Sequence, residues 1–150
     1  MGYLLVSGDI NMIKEDYYFN ELYQTIDETF SYLRKKWNIQ IIKGLFCDCK
    51  HFKDFLEHHP TLSSKVLSER LKELEQEGII ERKVLNTIPV QTEYQLTEKG
   101  RGLNRIMFEL FNFALEELDK KNKDFKEKGD SKRKEESRQK LMVCLNINNP

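Results

Sequence analysis

A capped helix that runs straight into a hairpin constrains this chain most. Residues 61–83 read TLSSKVLSERLKELEQEGIIERK. Ser63 or Ser64 is a good N-cap, because a serine hydroxyl accepts one of the backbone N–H groups that the first turn leaves unpaired. Leu67, Leu71 and Leu74 recur at i, i+4 and i+7, which puts them on one helical face. Gly78 supplies a stop, since glycine readily adopts the left-handed conformation that ends helices. Ile79, Ile80, Val84 and Leu85 then read as a strand, NTIPVQ as a turn containing Pro89, and TEYQLT as the return strand of a hairpin.

Other elements fall around this unit. Residues 14–33 carry Phe19, Leu22, Tyr23, Ile26, Phe30 and Leu33 at three- and four-residue spacing, an amphipathic helix with a broad aromatic stripe. Residues 36–46 form a second helix through Trp37, Ile41, Ile42 and Leu45, with Trp37 as a core anchor. HFKDFLEHHP is a short helix that turns Phe52, Phe55 and Leu56 inward and stops before Pro60. Thr97 caps a long helix over 98–118 carrying Leu103, Ile106, Met107, Leu110, Phe111, Ala114, Leu115 and Leu118. Residues 119–138 are almost all charged or small, so a frayed helix end or flexible tail is expected there. LMVCLNINNP, at 141–150, is too short to assign.

Three compact helices followed by a hairpin is the plan of a winged helix-turn-helix. The expected fold is mainly α with a small β-hairpin. Residues 1–13 form an N-terminal extension, 14–118 the winged-helix domain and 119–150 a charged tail. Within the domain, the helix–hairpin order makes 34–97 the expected DNA-binding core. The flanking helices, 14–33 and 98–118, are too apolar to stand free. Their stripes should meet each other or a second chain, through Phe19, Leu22, Tyr23, Ile26, Ile106, Leu110, Phe111 and Ala114.

Charge points the same way, although the formal net charge is zero. Residues 1–33 carry one Lys and six Asp/Glu, whereas 34–105 carry 14 Lys/Arg against 10 Asp/Glu. A mildly basic middle therefore follows an acidic start, and such segment asymmetry says more about partners than the total does. No stretch approaches the roughly 18 apolar residues of a membrane span, and the first residues lack the basic n-region of a signal peptide. A cytoplasmic protein is expected.

On the capped helix, Lys65, Ser68, Glu69 and Lys72 face away from the leucine seam, with Ser63 and Ser64 at the N-terminus. Such a helix fits the major groove of DNA, and its N-terminus favours phosphate. The same pattern equally describes a solvated face with local ion pairs. Arg82 and Lys83 at the base of the hairpin, Gln91 near its tip, and Lys36 would grip phosphates. The glutamates on the outer face have no explanation in DNA binding.

Three cysteines, with no export signal, do not read as a disulfide framework. Cys47 and Cys49 flank Asp48, one residue fewer than the closest usual zinc spacing. They are a candidate redox or metal switch, set against one thiol packed at a helix end and another in a turn. No catalytic constellation is visible, no cofactor is implied, and an enzyme is not expected.

The stretch KKWNIQIIKGL, the F..F pair, LSERLKELEQEGII.R, the proline in the wing and EYQLTEKG, taken in order from Lys36 to Leu103, resemble the HxlR-type winged-helix transcriptional regulators, which are MarR-like. The resemblance implies a DNA-binding regulator that works as a homodimer on a pseudo-palindromic operator, with double-stranded DNA and itself as partners. Many members carry a Cys-Pro near the N-terminus, a redox sensor in some; this N-terminal segment has no cysteine. The alternative to a DNA reader is a winged-helix module for protein contact, since fold alone does not settle function.

Overall fold

A computed structural model describes residues 7–121 and 130–147, with side chains for 17–121 and 132–147. The described chain divides into two units, one up to residue 36 and the other from residue 37. The first is a single helix, α1 (Ser7–Leu33). It starts before the expected residue 14, because Ser7–Ile13 continues the helix without a Pro to stop it. Phe19, Leu22, Tyr23, Ile26 and Phe30 are all exposed on it.

The second unit contains α2 (Asn38–Phe46), α3 (Phe52–His58), α4 (Ser64–Gln76), β1 (Ile80–Leu85), β2 (Gln91–Leu96), α5 (Glu98–Arg101), α6 (Asn104–Lys121) and α7 (Asp130–Cys144). The two strands pair antiparallel, with Ile80 opposite Leu96 and Leu85 opposite Gln91. Helix, helix, capped helix, hairpin is the expected winged-helix order. Its core is built from Ile41 and Ile42 of α2, Phe55 of α3, and Leu67, Leu71 and Leu74 of α4, all essentially inaccessible to solvent. Ile79 and Ile80 close it from the hairpin side, and Met107 from α6. Within the short α3, Phe55 is buried, whereas Phe52 and Leu56 are half-buried.

Trp37 departs from its expected place as a core anchor. It is the N-cap of α2, in the left-handed region at φ 79°, and is only half-buried. Its ring lies 5.7 Å from that of His59. Burial, then the neighbouring His58, hold the His59 imidazole below its usual pKa.

The turn joining α4 to β1 fixes how the hairpin leaves the helix. Gly78 stands at φ 68°, where a Cβ would be strained. The Thr97 hydroxyl accepts from the Gly100 N–H at 3.1 Å and donates to the Gly78 carbonyl at 2.6 Å. The Ile79 carbonyl accepts from the Thr97 N–H at 3.0 Å. The cap of α5 is thereby also the clasp that holds the end of β2 to the start of β1.

Two expectations at the C-terminal side change. The long helix is broken at Gly102 into α5 and α6, with the Gly102 N–H returned to the Glu98 and Gly100 carbonyls. Within the segment expected to be a flexible tail, α6 extends to Lys121, and residues 130–144 form α7, held in part by an ion pair from Lys134 to Asp119 at 2.7 Å. The next residue, Leu145, is fully buried. Expectations for residues 1–6, 122–129 and 148–150 lie outside the described residues.

Candidate nucleic-acid interface

The outward face of α4 follows from its inward one. With the three leucines fixed in the core, a 3.6-residue period leaves Lys65, Ser68, Glu69 and Lys72 exposed. Ser63 rather than Ser64 is the cap: it is extended, and its hydroxyl accepts from the Val66 N–H at 3.3 Å. Ser64 is the first helical residue and is exposed. The helix therefore presents unpaired backbone N–H groups and two hydroxyls at one end, with Lys65 beside them, an arrangement that suits phosphate or base edges. Arg70 does not join this face. It is half-buried and ion-paired with Glu73 on its own helix.

The hairpin adds a second basic element. Arg82 and Lys83 are exposed on β1, opposite Tyr94 and Glu93, and Gln91 is exposed at the start of β2. Lys83 lies 3.8 Å from Glu81, which also accepts from the Gln95 amide. At this separation near solvent the ion pair is weak, so the Lys83 charge stays available to an anion. Lys36 is exposed but belongs to the first unit.

The hairpin is also tied to α3 through contacts that no local sequence pattern marks. The Tyr94 N–H donates to the Lys50 carbonyl at 2.8 Å, on the side of β2 away from β1. The His51 Nδ1 lies 3.2 Å from the Thr92 carbonyl, and its Nε2 lies 3.7 Å from Glu93. Asp54 in turn accepts from the backbone N–H of His51 first and of Lys50 second, which holds its carboxyl below the usual carboxylate range. The segment KH at 50–51 thus acts as an extra edge for the wing.

Cys47 and Cys49, expected to act together if they act at all, are not partners. Cys47 is in a disulfide with Cys144, 97 positions away, and Cys49 is the free thiol. Their placement explains the choice. Asp48 takes a left-handed turn at φ 69° between them, and Cys47 is exposed where α2 ends beside the end of α7. Burial, then the Asp54 carboxylate, raise the Cys49 thiol above its ordinary pKa. Cys49 should accordingly alkylate with iodoacetamide at neutral pH more slowly than a cysteine in an unstructured peptide, and catch up only as the pH rises past its raised pKa. Equal rates at pH 7 would contradict this. Among the described residues no group of His, Cys, Asp and Glu is disposed to hold a metal ion, and no helix is long and apolar enough to cross a membrane.

A helix with a polar, N-terminally capped outer face, set beside a basic hairpin on a three-helix core, defines a winged helix-turn-helix of the DNA-binding kind. Residues 32–122 match the model of the HxlR-like helix-turn-helix family, and the chain belongs to that family. It is similar to the HTH-type transcriptional regulator YodB of Bacillus subtilis, 44% identical over 95 residues, 63% of this chain and 85% of the relative. The structure of reduced YodB from B. subtilis covers 60% of this chain and 88% of that one, with 43% identity and a TM-score of 0.54. The redox regulator HypR in its oxidised form covers 59% and 92%, with 30% identity and a TM-score of 0.55. The chain is a DNA-binding transcriptional regulator and not an enzyme.

Proposed function

We propose that the protein binds its operator as a homodimer, with one α4 from each copy in successive major grooves of a pseudo-palindromic site, and that it works in the cytoplasm. The observation that carries the reading is the coincidence of three things on the second unit: the capped N-terminus of α4, the exposed Lys65, Ser68 and Lys72, and the exposed Arg82 and Lys83 of the hairpin. Ser63, Ser64 and Gln91 add hydrogen-bonding groups, and Lys36 a further cation. Half-sites would lie roughly 34 Å apart, one turn of duplex.

Self-association is supported by the apolar side chains left in water. Phe19 is 50% exposed and Tyr23 63%, and Leu22 and Ile26 beside them are exposed too. On α6, Ile106, Leu110 and Ala114 are exposed and Phe111 is half-buried. Large apolar side chains left exposed along a helix face in this way, on α1 and separately on α6, mark an interface. A redox signal is the effector class in keeping with HypR being a redox regulator, and a small molecule is in keeping with the quinone-bound structure of YodB from B. subtilis.

The exposed Glu69 and Glu75 of α4 favour a second reading, a winged-helix module for protein contact. Binding to the gene's own upstream duplex, titrated with salt, separates the two. The first reading expects log K to fall steeply with log salt. Replacing both Lys65 and Lys72 by Ala should lessen the magnitude of that slope by about two per half-site, and so by nearly four for a dimer on the full operator, if each lysine neutralises one phosphate. Absence of salt-dependent binding, together with no effect of the double substitution, would sink it.

A further inference from the structure

Cys144 lies beyond residues 32–122, the part shared with the family, yet the fold brings it back to the end of α2. The Cα atoms of Cys47 and Cys144 are 5.1 Å apart, inside the range a disulfide requires. The residues next to Cys144 are as telling as the bond. Leu145 is fully buried, and residues 144–146 line a pocket with Leu45 and Phe46 of α2, Gln95 and Leu96 of β2, and Arg101. Leu96 pairs with Ile80 at the root of the wing, and its carbonyl accepts from the Arg101 guanidinium at 2.7 Å. The C-terminal segment thus lies beside the base of the hairpin, around a shared pocket.

Apart from its packing along α6, helix α7 has little else to hold it. Its sequence, DSKRKEESRQKLMVC, has no apolar stripe, and most of its described side chains are exposed. A 15-residue helix is marginal by itself in water, and an ion pair as accessible as Lys134–Asp119 contributes little. Between α7 and α2 an open cleft of about 710 Å³, lined by Lys43, Cys47, Lys140 and Leu141 among others, further separates the two.

We propose that Cys47 and Cys144 form a redox latch: oxidised, they tie α7 to α2 and press Leu145 against the root of the wing; reduced, they release the C-terminal segment. A hydroperoxide closes the latch in two balanced steps. One thiolate attacks the peroxide, the O–O bond breaks and an alcohol leaves; the second thiol then displaces water from the resulting sulfenic acid as the S–S bond forms. The two sulfurs give up two electrons to the peroxide. Opening takes two electrons and two protons from a dithiol, which becomes a cyclic disulfide. The latch closes within one chain, it uses a cysteine outside the shared family region, and Cys49 takes no part.

The test is hydrogen exchange by mass spectrometry on the full chain, reduced with dithiothreitol or oxidised with tert-butyl hydroperoxide, beside a non-reducing peptide map. The map of the oxidised protein should contain a Cys47–Cys144 linked peptide. Amides of residues 130–147 should exchange at least tenfold faster in the reduced protein, with a smaller increase at 91–101, while α4 keeps its protection. Cys49→Ser should behave like the parent; Cys47→Ser and Cys144→Ser should exchange fast at 130–147 with or without peroxide. The latch is overturned if the map lacks the linked peptide, if the sole product joins two chains, or if 130–147 exchange alike in both states. Loss of α4 protection on reducing the parent would also overturn it, since the bond would then be a staple for the whole domain. These readouts do not involve DNA, so the latch and the operator-binding reading stand or fall separately.

Discussion

Gly100→Ala should destabilise the protein by about 3 kcal/mol, the upper end of what overpacking usually costs. A Cβ built at Gly100 would lie 2.1 Å from the carbonyl oxygen of Ile79 and 3.1 Å from Leu96 Cδ2. The leucine could yield, but the carbonyl is poorly placed to move. It accepts from the Thr97 N–H at 3.0 Å, and the Thr97 hydroxyl is 3.2 Å from it. Shifting it pulls on the clasp that joins the end of β2 to the start of β1. Releasing the clasp instead leaves buried backbone groups without partners, which costs as much again. Gly102→Ala is the control. Its backbone is already right-handed helical, and its Cβ would meet nothing nearer than the Lys99 carbonyl at 3.3 Å. That substitution should stay within about 1 kcal/mol of the parent, because alanine also restricts the unfolded chain. Urea unfolding of both variants decides the matter: midpoints that fall together would mean that the clasp does not bear on stability.

The parts of this fold that local chemistry determines could be read from the chain. A serine before an apolar run, three leucines at helical spacing, a glycine that must turn left-handed and alternation on either side of Pro89 each act within a few residues. Ser63, Leu67, Leu71, Leu74 and Gly78 are found in the expected roles. Thr97 caps as expected, but what it caps is one turn long, because a glycine two residues past Gly100 lets the helix restart. The outward residues of α4 follow from the inward ones, so their exposure was legible too. Distance in sequence defeats this kind of reading. Nothing near Cys47 names Cys144, and the pairing emerges only when α2 and α7 are brought side by side. The tie from Tyr94 to the Lys50 carbonyl is equally invisible, since it uses backbone groups that every residue has. Trp37 shows a different failure. A lone tryptophan in an apolar helix suggests the core, yet a left-handed N-cap holds it half in water against His59.

The two faces of α4 should separate in mutagenesis, and Leu67→Ala is the sharpest probe of the inner one. Leu67 is wholly buried. Its truncation removes apolar contacts and leaves a cavity that the surrounding helices close only in part, so a loss of about 3 kcal/mol is expected. Lys65, two residues earlier, is exposed, and its replacement by Ala should leave stability within about 0.5 kcal/mol of the parent. DNA binding should report the reverse. The slope of log K against log salt counts the counterions that protein cations displace from the duplex, not the fraction of protein that is folded. Leu67→Ala should therefore lower the apparent affinity where part of the protein is unfolded, and leave the slope where it was. Lys65→Ala should flatten the slope by about one unit per protomer contact at unchanged unfolding midpoint. If instead Leu67→Ala flattens the slope at temperatures where the protein is fully folded, α4 is repositioned by the cavity rather than depopulated. The leucine seam would then set the aim of the reading face as well as its stability. If neither variant changes the slope, the phosphate contacts lie elsewhere, and Arg82 and Lys83 of the hairpin become the residues to replace.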